Sequence, residues 1–229
     1  MKLRDDCLPF WRDITLRTSE GRVDAEIVDN VHHFVVTIHH DGDMVTDVTG
    51  HAIRVPWITC PGAVGQLSQL NGTSVAMGSR VLVDQSQQCT HMLDLARVAI
   101  AQVGRGGMRR YQANIHYDER REVVVAQLER DRALLLDWVL KDGLVLSPGP
   151  FEGHFTEGRS FWSDAVRSDP DLVEAGLILR RAIYVFRSRR YSAPRHRAAD
   201  TPGMSGVCYS FQPERAERAY RPADFVELP

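Results

Sequence analysis

Short stretches in which apolar and polar residues alternate open the chain. "DITLRT" (13–18) and "VDAEIV" (23–28) flank Ser19-Glu20-Gly21, and "HHFVVTIHH" (32–40) and "DMVTDVTGHAIRV" (43–55) flank Asp41-Gly42. The two-residue alternation predicts strands, and Asp-Gly between two such runs is a strong hairpin signal. The period changes at residue 60. "CPGAVGQLSQLNG" (60–72) predicts a helix with Pro61 at its first position and a glycine stop. A second helix is expected from about Cys89 to Val103, because Cys89, Leu93, Ala96, Ile100 and Val103 recur at helical spacing before "GRGG".

The second half repeats the rhythm. Strands are expected at 110–117, 122–129 and 134–146, with turns at Asp118-Glu119 and Asp142-Gly143. A long helix should start at Asp169 and Pro170 and reach about Arg190, with Leu172, Ala175, Leu179, Ala182 and Phe186 on one face. "GVCYSF" (206–211) reads as a short strand in a Pro- and Arg-rich tail. Strands followed by a helix, twice over, predict an α+β fold: antiparallel sheets, in two strand-strand-strand-helix halves, packed against helices. One domain over 1–229 is expected, divisible at 106/107 if the repetition reflects duplication.

The 229 residues are 43% hydrophobic, which allows a sizeable core, and the net charge of −2 supplies no field to recruit nucleic acid. No apolar run is long enough for a membrane span, and "MKLRDDCLPFWRD" has no signal-peptide stretch. The expectation is a cytoplasmic protein without nucleic-acid or membrane partners, and a homodimer as the common default. Lys2 and Lys141 are the only lysines, one terminal and one in a turn. Neither suits Schiff-base chemistry, which needs a buried amine. Phosphate loops are absent: "GRGGMRR" (104–110) is a helix stop, and neither GxGxxG after a strand nor GxSxG occurs. No cofactor is expected.

Five of the nine histidines fall in the hairpin at 32–55. If Asp41-Gly42 are its central turn residues, His40 opposes Asp43, Val36 opposes Asp47 and His32 opposes His51, while Asp29 comes opposite Arg54. That register gives one sheet face two adjacent imidazoles, with the Asp47 carboxylate further along to fix a tautomer. Histidine is suited to proton transfer near neutral pH. The competing reading is a hydrated hairpin end with exposed histidines.

Four cysteines, Cys7, Cys60, Cys89 and Cys208, are widely spaced without CxxC and read as free thiols. Cys60 and Cys89 both fall at expected helix starts, where unsatisfied N–H groups lower a thiol pKa. Packing is the simpler role for each. A metal site on Cys60, Cys89 and His91 is a further alternative. It is handicapped because residues two apart on a helix diverge by roughly 200°. A packing role for Cys89, with His91 turned to a different surface, answers the Cys-Thr-His pattern most simply. The loop "FEGHFTEGRSFW" (151–162), with His154, Arg159 and flanking glycines, has the makings of a lid.

"RVDAEIVDNVHHF", "HHDGDMVTDVTGHAIRVPWITCPGA", "QCTHMLDLARVAIA" and "MSGVCYSFQPERAERA" together resemble the bacterial domain-of-unknown-function family DUF2889, along almost the whole chain. Thr59-Cys60-Pro61 and Cys89-Thr90-His91 are the most specific markers, and the resemblance implies that Cys60, Cys89 and His91 belong to the family pattern. It also implies a setting in bacterial catabolism of aromatic or steroid compounds. With nucleotide loop and usable lysine excluded, the accessible chemistry is proton transfer. The expected function is a cofactor-independent lyase or isomerase, such as retro-aldol cleavage of a phenolic substrate. His32, His51 and His91 are its candidate acid/base groups, with Asp47 orienting an imidazole. Arg54, Arg159, His154, Cys60 and Cys89 are candidates to line the substrate site. A non-catalytic small-ligand-binding protein is the alternative.

Overall fold

The structure is a computed structural model describing residues 8–81, 83–157, 161–189, 195–225 and 227–228. Its strands are β1 (Phe10–Ser19), β2 (Arg22–Asp29), β3 (His33–His40), β4 (Val45–Arg54), β5 (Met108–Asp118), β6 (Val123–Arg130), β7 (Ala133–Lys141) and β8 (Leu144–Val145). Its α-helices are α1 (Thr90–Val103), α2 (Asp164–Arg167), α3 (Pro170–Ser188) and α4 (Pro213–Ala216). The strands hydrogen-bond in the order β4-β3-β2-β1-β5-β6-β7-β8, antiparallel through β2-β3-β4 and through β5-β6-β7-β8. The protein is α+β, as the pattern predicts, with one eight-stranded sheet where separate sheets were expected. Among the described residues no helix is long and apolar enough to cross a membrane.

The chain forms two compact units: Ile14–Arg109 with Tyr191–Pro229, here the α1 unit, and Met1–Asp13 with Arg110–Arg190, the α3 unit. In the α1 unit, the register pairs Val23 with Ile38, Ala25 with Val36 and Ile27 with Phe34. All six are buried, so the apolar face of β2 coincides with that of β3. Helix α1 packs on both strands and is buried at every position from Met92 to Ile100. It starts as expected, with Cys89 at the N-cap. In the α3 unit, α3 packs on β6 and buries Ala175, Leu179, Ala182 and Phe186. Asp169 caps it by accepting from the backbone N–H groups of Asp171 and Leu172.

Two local expectations are corrected. Residues 60–70 form a 3-10 helix, whose three-residue turns stack buried Leu67 on buried Leu70. The strand expected at 206–211 is a closed loop instead. The backbone N–H of Gly206 donates to Phe211 O at 2.9 Å, so the segment bonds to itself rather than to a neighbouring strand. Phe211 packs edge-on against Trp57 at 5.3 Å, in a small core with Cys60, Ala198, Ala216 and Ala219.

Candidate functional site

The site is built on the turn between β2 and β3. Asp29 ends β2, Asn30 and Val31 make the turn, and His32 immediately precedes β3. Asp and Asn favour such turns because their side chains can bond backbone groups two or three residues on. Asp29 does so: Oδ1 accepts from the N–H of Val31 at 2.7 Å and of His32 at 2.6 Å. The same carboxylate reaches the His32 ring, with Nδ1 at 3.0 Å from Oδ1 and 3.1 Å from Oδ2. Asp29 is 0% exposed and His32 2%. An ionised carboxylate only accepts, so the His32 ring meets Asp29 through Nδ1–H.

A second imidazole comes from the first turn of α1. The His91 ring lies 4.0 Å from that of His32, centroid to centroid, with 30° between planes. Phe34, at the start of β3, closes the group at 5.5 Å from His32 and 6.3 Å from His91. Charging both rings would place two cations side by side in a low-dielectric setting. The arrangement is a carboxylate, an oriented imidazole and a second, tilted imidazole beside an aromatic ring.

The expected hairpin register is wrong, and the reason lies in the turn. Asp41 Oδ1 accepts from the N–H groups of Asp43 and Met44, and β4 begins only at Val45. The loop is therefore longer than two residues, and an irregularity follows between His39 and His40. His51 consequently pairs with Val35, three residues along from His32. An odd shift moves side chains to the other face, and His51 is exposed. Asp47 pairs with His39, is also exposed, and meets Asn71 Nδ2 at 3.5 Å. Neither belongs to the His32 cluster: Asp29 takes the orienting part expected of Asp47, and His91 is the neighbour expected in His51.

Arg54 does come to Asp29, but through the backbone. Its guanidinium donates to the carbonyls of Asn30 at 2.7 Å, of His32 at 3.2 Å, and of Asp29. Cys60 is not an activated thiol. Burial pushes its pKa up strongly, the Cys89 and Cys208 thiols push the same way, and contact with Ser210 Oγ at 3.6 Å opposes them weakly. Cys60, Cys89 and Cys208 are free cysteines, and Cys89 makes no side-chain cap bond. Among the described residues no group of three His, Cys, Asp or Glu side chains is placed to hold a metal, which removes the geometric basis for a Cys60–Cys89–His91 centre. His154 belongs to the α3 unit, where its N–H donates to Phe151 O and its carbonyl accepts from Val145. Arg159 lies outside the described residues.

Fold and site define an α+β protein with a buried carboxylate–imidazole cluster in the α1 unit. Residues 10–103 match the model of a family described as a protein of unknown function, DUF2889. The match contains Asp29, His32, Arg54, Cys60, Cys89 and His91 and stops short of the 204–219 run, so the likeness is confined to less of the chain than the sequence motifs suggest. No curated protein matches the chain.

Proposed function

We propose that this protein catalyses cofactor-independent proton transfer on a small aromatic molecule, as a lyase or isomerase, with retro-aldol C–C cleavage of a phenolic substrate as the leading case. The single supporting observation is the Asp29–His32–His91 cluster: a buried carboxylate bonded to one imidazole, with a second imidazole tilted against it at 4.0 Å. In this reading His32 Nε2 removes the β-hydroxyl proton. The C–C bond breaks, the aldehyde leaves, and the electron pair passes to the carbon beside the substrate's electron-accepting group. That carbon then takes a proton back from the imidazole pair. Asp29 stabilises the imidazolium that forms. A cytoplasmic setting belongs to the same proposal, since three free thiols suit a reducing compartment, as does a homodimeric state.

The test incubates the protein with a panel of phenolic β-hydroxy carbonyl compounds and measures aldehyde release. Turnover that is lost in folded His32→Gln supports the proposal. Binding of panel members without turnover would instead assign a ligand-binding protein.

A further inference from the structure

Three carbonyl oxygens within four residues, those of Asp29, Asn30 and His32, converge on one guanidinium. The guanidinium belongs to Arg54 on β4, two strands from β2. A β-bulge brings it there: Phe34 pairs with Ala52, yet His33 pairs with Arg54, leaving Ile53 as the additional residue on β4. Bulges of this kind re-aim the side chain that follows them. Ile53 is correspondingly exposed at 59%, while Arg54 reaches the turn that holds Asp29 and His32. Burial lowers the Arg54 pKa and the Asp29 charge opposes that lowering, yet an arginine remains cationic throughout the physiological range. The same turn is held at Asn30 by a second, independent pair of bonds. Asn30 Nδ2 donates to Leu228 O at 2.7 Å, and Leu228 N–H donates to Asn30 O at 2.9 Å.

We propose that Arg54 is a positioning residue: its guanidinium fork clamps the 29–32 backbone so that the Asp29 carboxylate stays bonded to His32 Nδ1, keeping the imidazole in one tautomer. This rests on the reading of Asp29–His32 as the acid/base pair, and it removes Arg54 from the groups available to a substrate anion. A planar fork is needed because one lysine ammonium is a point charge and cannot span three carbonyls in fixed directions. The Asn30–Leu228 pairing fixes one carbonyl of the turn, whereas Arg54 gathers those on both sides of it.

The experiment uses full-length protein with isotopically labelled histidine and reads the His32 Nδ1 proton by NMR. It compares wild type, Arg54→Met and Arg54→Lys, with thermal unfolding measured beside each. In wild type the proton should appear far downfield and exchange slowly with solvent. In both variants its exchange should accelerate by about tenfold or more, the size expected when a charge-assisted hydrogen bond is lost and the turn opens locally. A slowly exchanging Nδ1 proton in folded Arg54→Met overturns the proposal. If Arg54→Met does not fold, a slowly exchanging proton in Arg54→Lys does the same. The readout needs no substrate. Accelerated exchange together with an absence of turnover in wild type would therefore sink the catalytic reading and leave the positioning role standing.

Discussion

At the scale of single residues, the decisive contact is a carboxylate with more donors than most. Asp29 holds two backbone N–H groups and an imidazole at once, in full burial. Asp29→Asn keeps the size but offers an amide in place of the anion, so His32 loses its preference for the Nδ1–H tautomer. On the proposed function, turnover should fall by about 10²–10⁴-fold, as for loss of a positioned acid/base group, with His32→Gln at least as severe. Asp29→Ala should in addition lower stability by about 2–4 kcal/mol in chemical denaturation, because buried N–H groups lose their acceptor. The thiols give a second residue-scale expectation. Cys60 is buried with a raised pKa and Cys89 is buried, whereas Cys208 is partly exposed. Alkylation of native protein, mapped by mass spectrometry, should modify Cys208 well before Cys60 or Cys89. Rapid labelling of Cys60 would contradict the burial of its thiol. The part played by Asp29 was half legible in "VDNVHHF". Asp-Asn between two alternating runs marks a turn, and His at the third position after Asp is within reach of its side chain. The partner of His32 was not legible, since His91 is distant in sequence and arrives on a helix.

At the scale of elements, helix starts and strand periods were read well and connections poorly. Both long helices begin where Cys89 and Asp169-Pro170 place them, because capping is a local event. Asp169→Ala should cost about 1 kcal/mol in unfolding free energy. Inside α3, Gly176 has no local justification, since alanine is the better helix former by about 1 kcal/mol. The reason is tertiary. A Cβ at Gly176 would lie 2.9 Å from the Phe151 ring, itself wedged against Trp138 at 4.8 Å and Phe161 at 5.0 Å. Overpacking a ring that cannot retreat costs about 1–3 kcal/mol, so Gly176→Ala should destabilise despite its propensity gain; an increase in melting temperature would show that the ring has room. The hairpin failed for the complementary reason. Asp-Gly is compatible with a two-residue turn, but the Asp41 side chain closes a longer one by taking two N–H groups, and nothing in the alternation of β3 and β4 chooses between the two.

At the scale of the whole chain, the tail joins the α1 unit, and its chemistry makes stability depend on pH. His196 has its pKa lowered from 6.5, by burial first and then by the Arg221 charge, with Asp200 opposing. Arg221 lies 4.8 Å from both the Trp57 and Phe225 rings, and its own pKa is brought down to about 10, chiefly by burial. A histidine that resists protonation when folded binds its proton more readily when unfolded. Its contribution is therefore complete above pH 6.5 and is lost as pH falls through the lowered folded value. Urea midpoints measured across this range should drop toward acid, and His196→Asn should flatten that part of the curve; an unchanged slope would remove His196 as its source. The alternation of apolar residues and the caps settled the α+β class and the helix starts, because each depends on residues within a few positions of one another. Which imidazole meets which, what Arg54 grips and why Gly176 is glycine were decided only in three dimensions. Strand register is set by a turn's hydrogen bonds and a one-residue bulge, and an odd shift in either exchanges the two faces of a sheet without altering the hydrophobic pattern that a reader sees.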